Sequence, residues 1–183
     1  MKVCVVYESM YGNTAAVGEA VAAALREHGV DVVSGPVTEI PAAEAAGAEL
    51  LILGSPTHVH GMTRPSTRKA GANDTKNAYE HPTLSPGLRE WIDDLAPNGE
   101  KLAAAFDTRF DKPVLLTGSA AKGIAKRLSR RSFHLVTAPE SFFVSTQNRL
   151  LDGEIAHARR WANALLDHPS LPVNRAEGAD IPR

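Results

Sequence analysis

The sequence predicts an α/β protein built on a doubly wound, five-stranded parallel sheet with helices on both faces. Three observations carry that reading. Apolar, strand-like runs alternate with helical periodicities along most of the 183 residues. One run, Leu50, Leu51, Ile52 and Leu53, is continuously apolar, as suits a strand covered on both faces. Three strand ends pass into polar segments, at residues 9–14, 55–61 and 107–110, and open parallel sheets bind ligands beyond the carboxyl ends of their strands.

The first strand carries Val3, Cys4, Val5, Val6 and Tyr7 and runs into the hydroxyl-rich turn Ser9-Met10-Tyr11-Gly12-Asn13-Thr14. A helix follows over residues 14–28, with Val17, Val21 and Leu25 on one face and His28-Gly29 as its end. Residues 30–34 read as the second strand, the Ala-rich residues 41–47 as a short helix, and residues 49–54 as the third strand. No periodicity is evident from residue 55 to 85, a segment holding His58, His60, Arg64, Arg68 and Lys69; a stretch of that length in a compact domain is usually functional or mobile. Residues 86–95 form a helix with Leu88, Trp91, Ile92 and Leu95 inward, and residues 101–106 a fourth strand that gives way to a polar loop at Asp107. Residues 113–117 are apolar enough for a strand, but lie so close to the preceding one that they read as a loop. That loop leads into a helix capped at Thr117 or Ser119 and ending near residue 131. Residues 133–144 supply a last strand region interrupted by Pro139. Residues 150–168 close the fold as an amphipathic helix with Leu151, Ile155, Ala158, Ala162 and Leu165 inward. A domain over residues 1–168 and a frayed tail over residues 169–183 are expected.

Composition narrows the function classes. With 43% hydrophobic residues the chain can bury one full core. A net charge of -1 and a pI of about 6.7 give no reason to invoke nucleic acid or an anionic membrane as main partner. Cys4, the one cysteine, alternates with valines in the first strand and reads as a buried core residue. The N-terminal apolar run is too short for a secretory signal and no later segment is long enough to span a bilayer, so a cytoplasmic, reducing setting is expected.

The first turn is the most informative segment. Unpaired N–H groups at a helix N-terminus, backed by the helix dipole, attract an anion; Ser9 and Thr14 can add hydroxyls, and Gly12 lets the backbone come close. The turn lacks both the lysine-bearing loop of nucleoside triphosphate sites and the G-x-G-x-x-G of dinucleotide sites, which leaves a single phosphate monoester as the better fit. An ordinary strand-to-helix turn with a capping residue is the competing reading.

Ser9-Met10-Tyr11-Gly12-Asn13-Thr14 resembles the T/S-x-T-G-x-T phosphate loop of the flavodoxins, with some likeness to the flavodoxin-like NAD(P)H:quinone oxidoreductases. The resemblance covers roughly residues 1–167 and implies strand order 2-1-3-4-5 and one FMN. It implies that Ser9, Tyr11, Gly12, Asn13 and Thr14 hold the FMN phosphate, that Ser55, Pro56, Thr57, His58 and Val59 line one side of the ring, and that Asp107, Thr108 and Arg109 line the other. The chain departs from the pattern at Tyr11, where many flavodoxins have threonine, and in the two ring loops, which carry no Trp or Tyr; Phe106, Phe110 and His58 stand near enough to substitute. Electron-transfer flavodoxins are typically acidic, whereas this chain is close to neutral.

Arg109 near the pyrimidine end of a flavin would stabilise the anionic reduced form and favour two-electron reduction; the competing reading is a surface pair with Asp107. His58 is the one weak catalytic candidate, as proton donor to a quinone, against an ordinary loop histidine; His58 and His60 find no third ligand at a recognisable spacing, so no metal is expected. Lys122, Lys126, Arg127, Arg130 and Arg131 make one helix basic, either as a solvated face or as a dock for an acidic redox partner. The expectation is therefore an FMN-binding redox protein: a carrier fed by a reductase and serving a partner protein, or an oxidoreductase taking hydride from NAD(P)H for a small electron acceptor. Arg64, Arg68 and Lys69 either bind the nucleotide phosphate or are solvated. A flavodoxin-fold binding module that has lost its flavin is the alternative from a different class.

Overall fold

The computed structural model of the chain describes residues 1–58, 60–66, 68, 86–97 and 99–171. Its elements are β1 (Lys2–Tyr7), α1 (Asn13–Glu27), β2 (Asp31–Pro36), α2 (Ala42–Ala45), β3 (Leu50–Pro56), α3 (Leu88–Asp93), β4 (Lys101–Phe110), α4 (Val114–Thr117), α5 (Ala120–Ser129), β5 (Phe133–Leu135), β6 (Glu140–Val144) and α6 (Glu154–Leu166). The strands form one parallel sheet in the order β2-β1-β3-β4-β5, and β6 also pairs with β4. The order reverses between β1 and β3, which puts the topological switch point, and any ligand crevice, at their carboxyl ends.

The fifth strand is broken rather than continuous. β5 pairs with residues 101–103 of β4 and β6 with residues 106–110, so the sheet has six strands where the sequence predicts five. Pro139, which has no N–H for a ladder, stands immediately before β6.

Each face of the sheet has its own core. On one, Val3, Val5, Ile52, Ala104 and Phe106 pack against Val17, Val21 and Leu25 of α1 and Ala158, Ala162 and Leu165 of α6. Phe106, Phe142 and Trp161 meet edge to face there with centroids 5.9–6.0 Å apart. On the other, Cys4, Val6, Leu51, Leu53, Ala103 and Ala105 face α2, α3 and α5. Cys4 is 2% exposed and burial pushes its thiol up to about 11, which makes it an inert core residue.

Leu88, Trp91, Ile92 and Leu95 are all buried, and Gly29, at φ +71, closes the end of α1. Ser119 caps α5, its Oγ accepting from Lys122 N at 3.2 Å, and residues 114–117 form a single helical turn. Two expectations are corrected. Asp107, Thr108 and Arg109 are not in a loop: β4 continues to Phe110, paired with β3 on one side and β6 on the other. Ile155 is 40% exposed, because α6 begins only at Glu154; Trp161 and Leu166 fill the inner face instead.

Candidate functional site

The turn after β1 is built to leave donors open. Gly12, at φ +82 and ψ -18, is the N-cap of α1 and offers no side chain to it. Ser9 Oγ accepts from Ala15 N at 3.2 Å, taking one of the four N–H groups that a helix start leaves without an intrahelical partner. Asn13 and Thr14 brace the turn. Asn13 Nδ2 donates to Asn148 O at 2.8 Å while its Oδ1 accepts from Leu150 N at 3.2 Å, and Thr14 Oγ1 lies 2.8 Å from Thr108 Oγ1.

Beneath that turn sits a buried carboxylate. Glu8 is 1% exposed; its Oε1 accepts from Thr63 Oγ1 at 2.5 Å and its Oε2 from Leu88 N at 2.9 Å, so it caps α3 and ties the chain around Thr63 to the start of the turn. Burial holds its carboxyl above the usual range, against the opposing pull of those hydrogen bonds and of Arg68. Arg68, also buried, donates to Thr63 Oγ1 at 3.3 Å and pairs with Glu90 at 2.9 Å.

A two-lobed groove opens over the carboxyl ends of β3, β4 and β6. One lobe, about 220 Å³, is bounded by Tyr11, Pro56, Thr108, Val144 and Asn148; the other, about 340 Å³, by His60, Leu116 and Thr117. Thr57, His58, Arg109 and Phe110 line both lobes, which therefore adjoin one another. The larger lobe falls at the low end of the about 300–1,000 Å³ spanned by sites for small organic ligands, and the smaller lobe below it.

The walls of the groove are bolted to each other. Asp107, fully buried, accepts at Oδ2 from Thr57 Oγ1 (3.0 Å), Ser119 Oγ (2.7 Å) and Ala121 N (2.9 Å), and Thr57 Oγ1 accepts from Ala120 N at 2.8 Å. Asp107 Oδ1 is buried with no partner among the described residues. Above this clamp the turn from His58 to Gly61, closed by two backbone hydrogen bonds, presses His60 against Gly118. A Cβ on Gly118 would overlap the His60 carbonyl.

Arg109 is the unusual charge. It is 8% exposed, and none of its neighbours within 4 Å among the described residues is a carboxylate: Nε donates to Ser141 Oγ (3.0 Å), and Nη1 to Phe110 O (3.2 Å), Lys112 O (2.7 Å) and Thr117 Oγ1 (3.3 Å). Its Cζ lies 4.8 Å from the centroid of the Phe143 ring. Nη2 makes no hydrogen bond among the described residues. The surface pair with Asp107 is not formed: Asp107 is buried, its Oδ2 takes Thr57, Ser119 and Ala121, and the Arg109 guanidinium donates to Ser141, Phe110, Lys112 and Thr117 instead.

Most of the expected residues thus meet at one end of the sheet. Tyr11, Pro56, Thr57, His58, Thr108 and Arg109 line the groove, with Ser9, Gly12, Asn13 and Thr14 in the adjoining turn. Ser55 and Asp107 lie under its floor, fully buried; Val59 falls outside the described residues, as do Lys69 and most of the segment from 62 to 85. Phe106 is in the core and cannot stack on a ligand, whereas Phe110 is 43% exposed at the groove. Leu116 and Asn148 are groove residues that sequence reasoning missed. The apolar run Val114, Leu115 and Leu116, read as a loop, was the available signal for the first, and nothing in the sequence marks the second. Among the described residues no three His, Cys, Asp or Glu side chains gather to hold a metal ion, and no helix is long and apolar enough to cross a membrane.

This is a flavodoxin-like fold: a parallel sheet in the order 2-1-3-4-5, with a sixth strand continuing the fifth, and helices on both faces. Among solved structures, the chain is similar to a flavodoxin from the domain Archaea (22% identity, TM-score 0.62, covering 90% of this chain and 96% of that one). It is also similar to oxidised flavodoxin 1 from Bacillus cereus (16% identity, TM-score 0.66, 93% and 100%). A third likeness is to rubredoxin oxygen:oxidoreductase from Desulfovibrio gigas (19% identity, TM-score 0.58), in which 93% of this chain matches 37% of that one. At these identities the likeness is one of fold. No protein-family model matches the chain and no curated protein does.

Proposed function

We propose that the groove holds one FMN noncovalently and that the protein is a flavin-dependent redox protein. The observation that carries this reading is Arg109: a nearly buried guanidinium with no carboxylate beside it and one nitrogen unpaired among the described residues, on a groove that adjoins an open helix N-terminus. A buried cation held only by neutral acceptors is costly to keep, and an anionic or electron-rich ligand offsets that cost. The donor set fits FMN: the start of α1 for the phosphate, Phe110 as the apolar aromatic wall for the ring, and Arg109 as the cation.

When bound, the flavin supplies the one- or two-electron chemistry. Gly12 would let a phosphate come close to the backbone at the start of α1, while Ser9 and Asn13 keep the turn in shape. Arg109, which lines both lobes, would bring positive charge to a flavin held there and so favour its reduced form. The Asp107 clamp holds the loops rigid, so that little reorganisation accompanies electron transfer. His58, half-buried on both lobes, stands where it can hand a proton to an acceptor in the groove.

Absorbance titration of the stripped protein with FMN, followed by anaerobic NADH and NADPH, tests the reading. A saturable shift of the flavin bands with rapid bleaching by a pyridine nucleotide identifies an oxidoreductase; a shift without bleaching identifies a carrier reduced by a partner protein. No shift refutes flavin binding and leaves a binding module.

A further inference from the structure

Three of the four large apolar side chains exposed among the described residues stand within seven positions of one another: Phe110 at 43%, Leu115 at 92% and Leu116 at 65%. They crown the groove, with Phe110 and Leu116 forming its wall and Leu115 turned fully to solvent. Exposed apolar side chains gathered at a ligand site mark a contact surface more often than chance scatter does.

The charge of the segment that carries this knob is one-sided. Residues 109–131 carry the cations Arg109, Lys112, Lys122, Lys126, Arg127, Arg130 and Arg131 against the single acid Asp111, in a chain whose net charge is -1. Arg127 and Arg131 share one carboxylate, each lying 2.9 Å from Asp93 Oδ1. Lys112, Lys122, Lys126 and Arg130 are exposed and make no ion pair among the described residues. Lys122 and Lys126 on α5 and Arg130 at its C-cap recur every fourth residue, so they form a stripe about 12 Å long that starts beside the Ser119 cap. Ile124 and Leu128 face the core on the opposite side.

We infer that Leu115, Leu116 and Phe110, with the Lys122–Lys126–Arg130 stripe, form a docking surface for an acidic redox protein that exchanges electrons at the groove. The identification of the partner as a redox protein rests on the function proposed above; the sign of its charge rests on the stripe alone. Apolar contact at the mouth of the groove sets the distance for transfer, and the stripe steers encounter and orients the partner. The polarity is the reverse of that expected for an acidic carrier that docks on basic partners.

A plant-type [2Fe–2S] ferredoxin, small and strongly acidic, serves as probe, with a basic c-type cytochrome and a 20-base-pair DNA duplex as controls. Binding to the purified protein is followed by chemical-shift perturbation at low ionic strength and again at about 0.15 M salt, where the Debye length falls to about 8 Å. Ferredoxin is expected to bind at the α4–α5 surface, more weakly as salt rises. Lys122→Glu/Lys126→Glu is expected to weaken binding about tenfold or more at low salt and to remove most of the salt dependence. Leu115→Ser is expected to weaken binding about threefold or more with the salt dependence kept. Neither variant disturbs packing, since Lys122, Lys126 and Leu115 are exposed and a carboxylate in place of the Lys122 ammonium lies favourably in the first turn of α5. No ferredoxin binding, binding indifferent to charge reversal, or tighter binding of the cytochrome or the DNA would overturn the inference. Because binding is read without the flavin, its failure is separate from failure of the FMN titration.

Discussion

Gly118→Ala is expected to spring the two loops that flank the groove. At φ +71 and ψ -170, Gly118 occupies backbone space that is essentially closed to other residues, and forcing a side chain there costs about 1–3 kcal/mol. The new Cβ also meets the His60 carbonyl, which is backbone held in a closed turn and cannot swing aside; overpacking of that kind adds about 1–3 kcal/mol. The sum, about 2–6 kcal/mol, is a large share of the roughly 5–15 kcal/mol that keeps a domain folded. Gly29→Ala supplies the control: Gly29 shares the positive φ of +71 but has nothing within 4 Å of a Cβ, so only backbone strain of about 1 kcal/mol applies. Urea denaturation of the two variants separates clash from strain, and FMN titration reads the consequence for the groove. Gly118→Ala should weaken FMN binding about tenfold or more and Gly29→Ala should not. If Gly118→Ala costs no more than Gly29→Ala and binds FMN normally, the clasp between the loops does not shape the site.

Arg109→Gln is expected to weaken FMN binding and to lower the two-electron midpoint potential by about 20–30 mV, 30 mV being about 1.4 kcal/mol for such a couple; an unchanged potential in spectroelectrochemical titration would place the guanidinium away from the ring. Asp107→Ala strands the donors of Thr57, Ser119 and Ala121 and should cost about 3 kcal/mol in denaturant titration, whereas a loss under about 1 kcal/mol would mean that the clamp is dispensable. The raised carboxyl of Glu8 makes the native state bind more protons than the unfolded chain between the ordinary glutamate range and the native value, so this group lowers stability as pH rises through that window. Glu8→Gln should remove that contribution, and melting temperatures of both proteins from about pH 4.5 upward should show a shallower decline for the variant; parallel curves would argue against it.

The regular elements were legible because their physics is local. Val17, Val21 and Leu25 announce the inner face of α1, the run from Leu50 to Leu53 a strand covered on both sides, and Pro139 the break between β5 and β6. The end of β4 was not legible, because Asp107, Thr108 and Arg109 are polar and carry no strand signal of their own. Their place in the sheet depends on partners distant in sequence: Thr14 for Thr108, Ser119 for Asp107, Ser141 and Phe143 for Arg109. The same dependence explains the site. The turn at residues 9–14 could be read from its own residues, but the clasp of His60 on Gly118 and the apolar wall of Phe110 and Leu116 exist only once β3 and β4 lie side by side.

The most direct measurement is the crystal structure of the protein with FMN bound. The phosphate is expected within hydrogen-bond distance of the backbone N–H groups at the start of α1, with the ring against Phe110 and a ring oxygen or nitrogen facing Arg109 Nη2. Flavin density elsewhere, or none at saturating FMN, would contradict the reading of this groove as a flavin site.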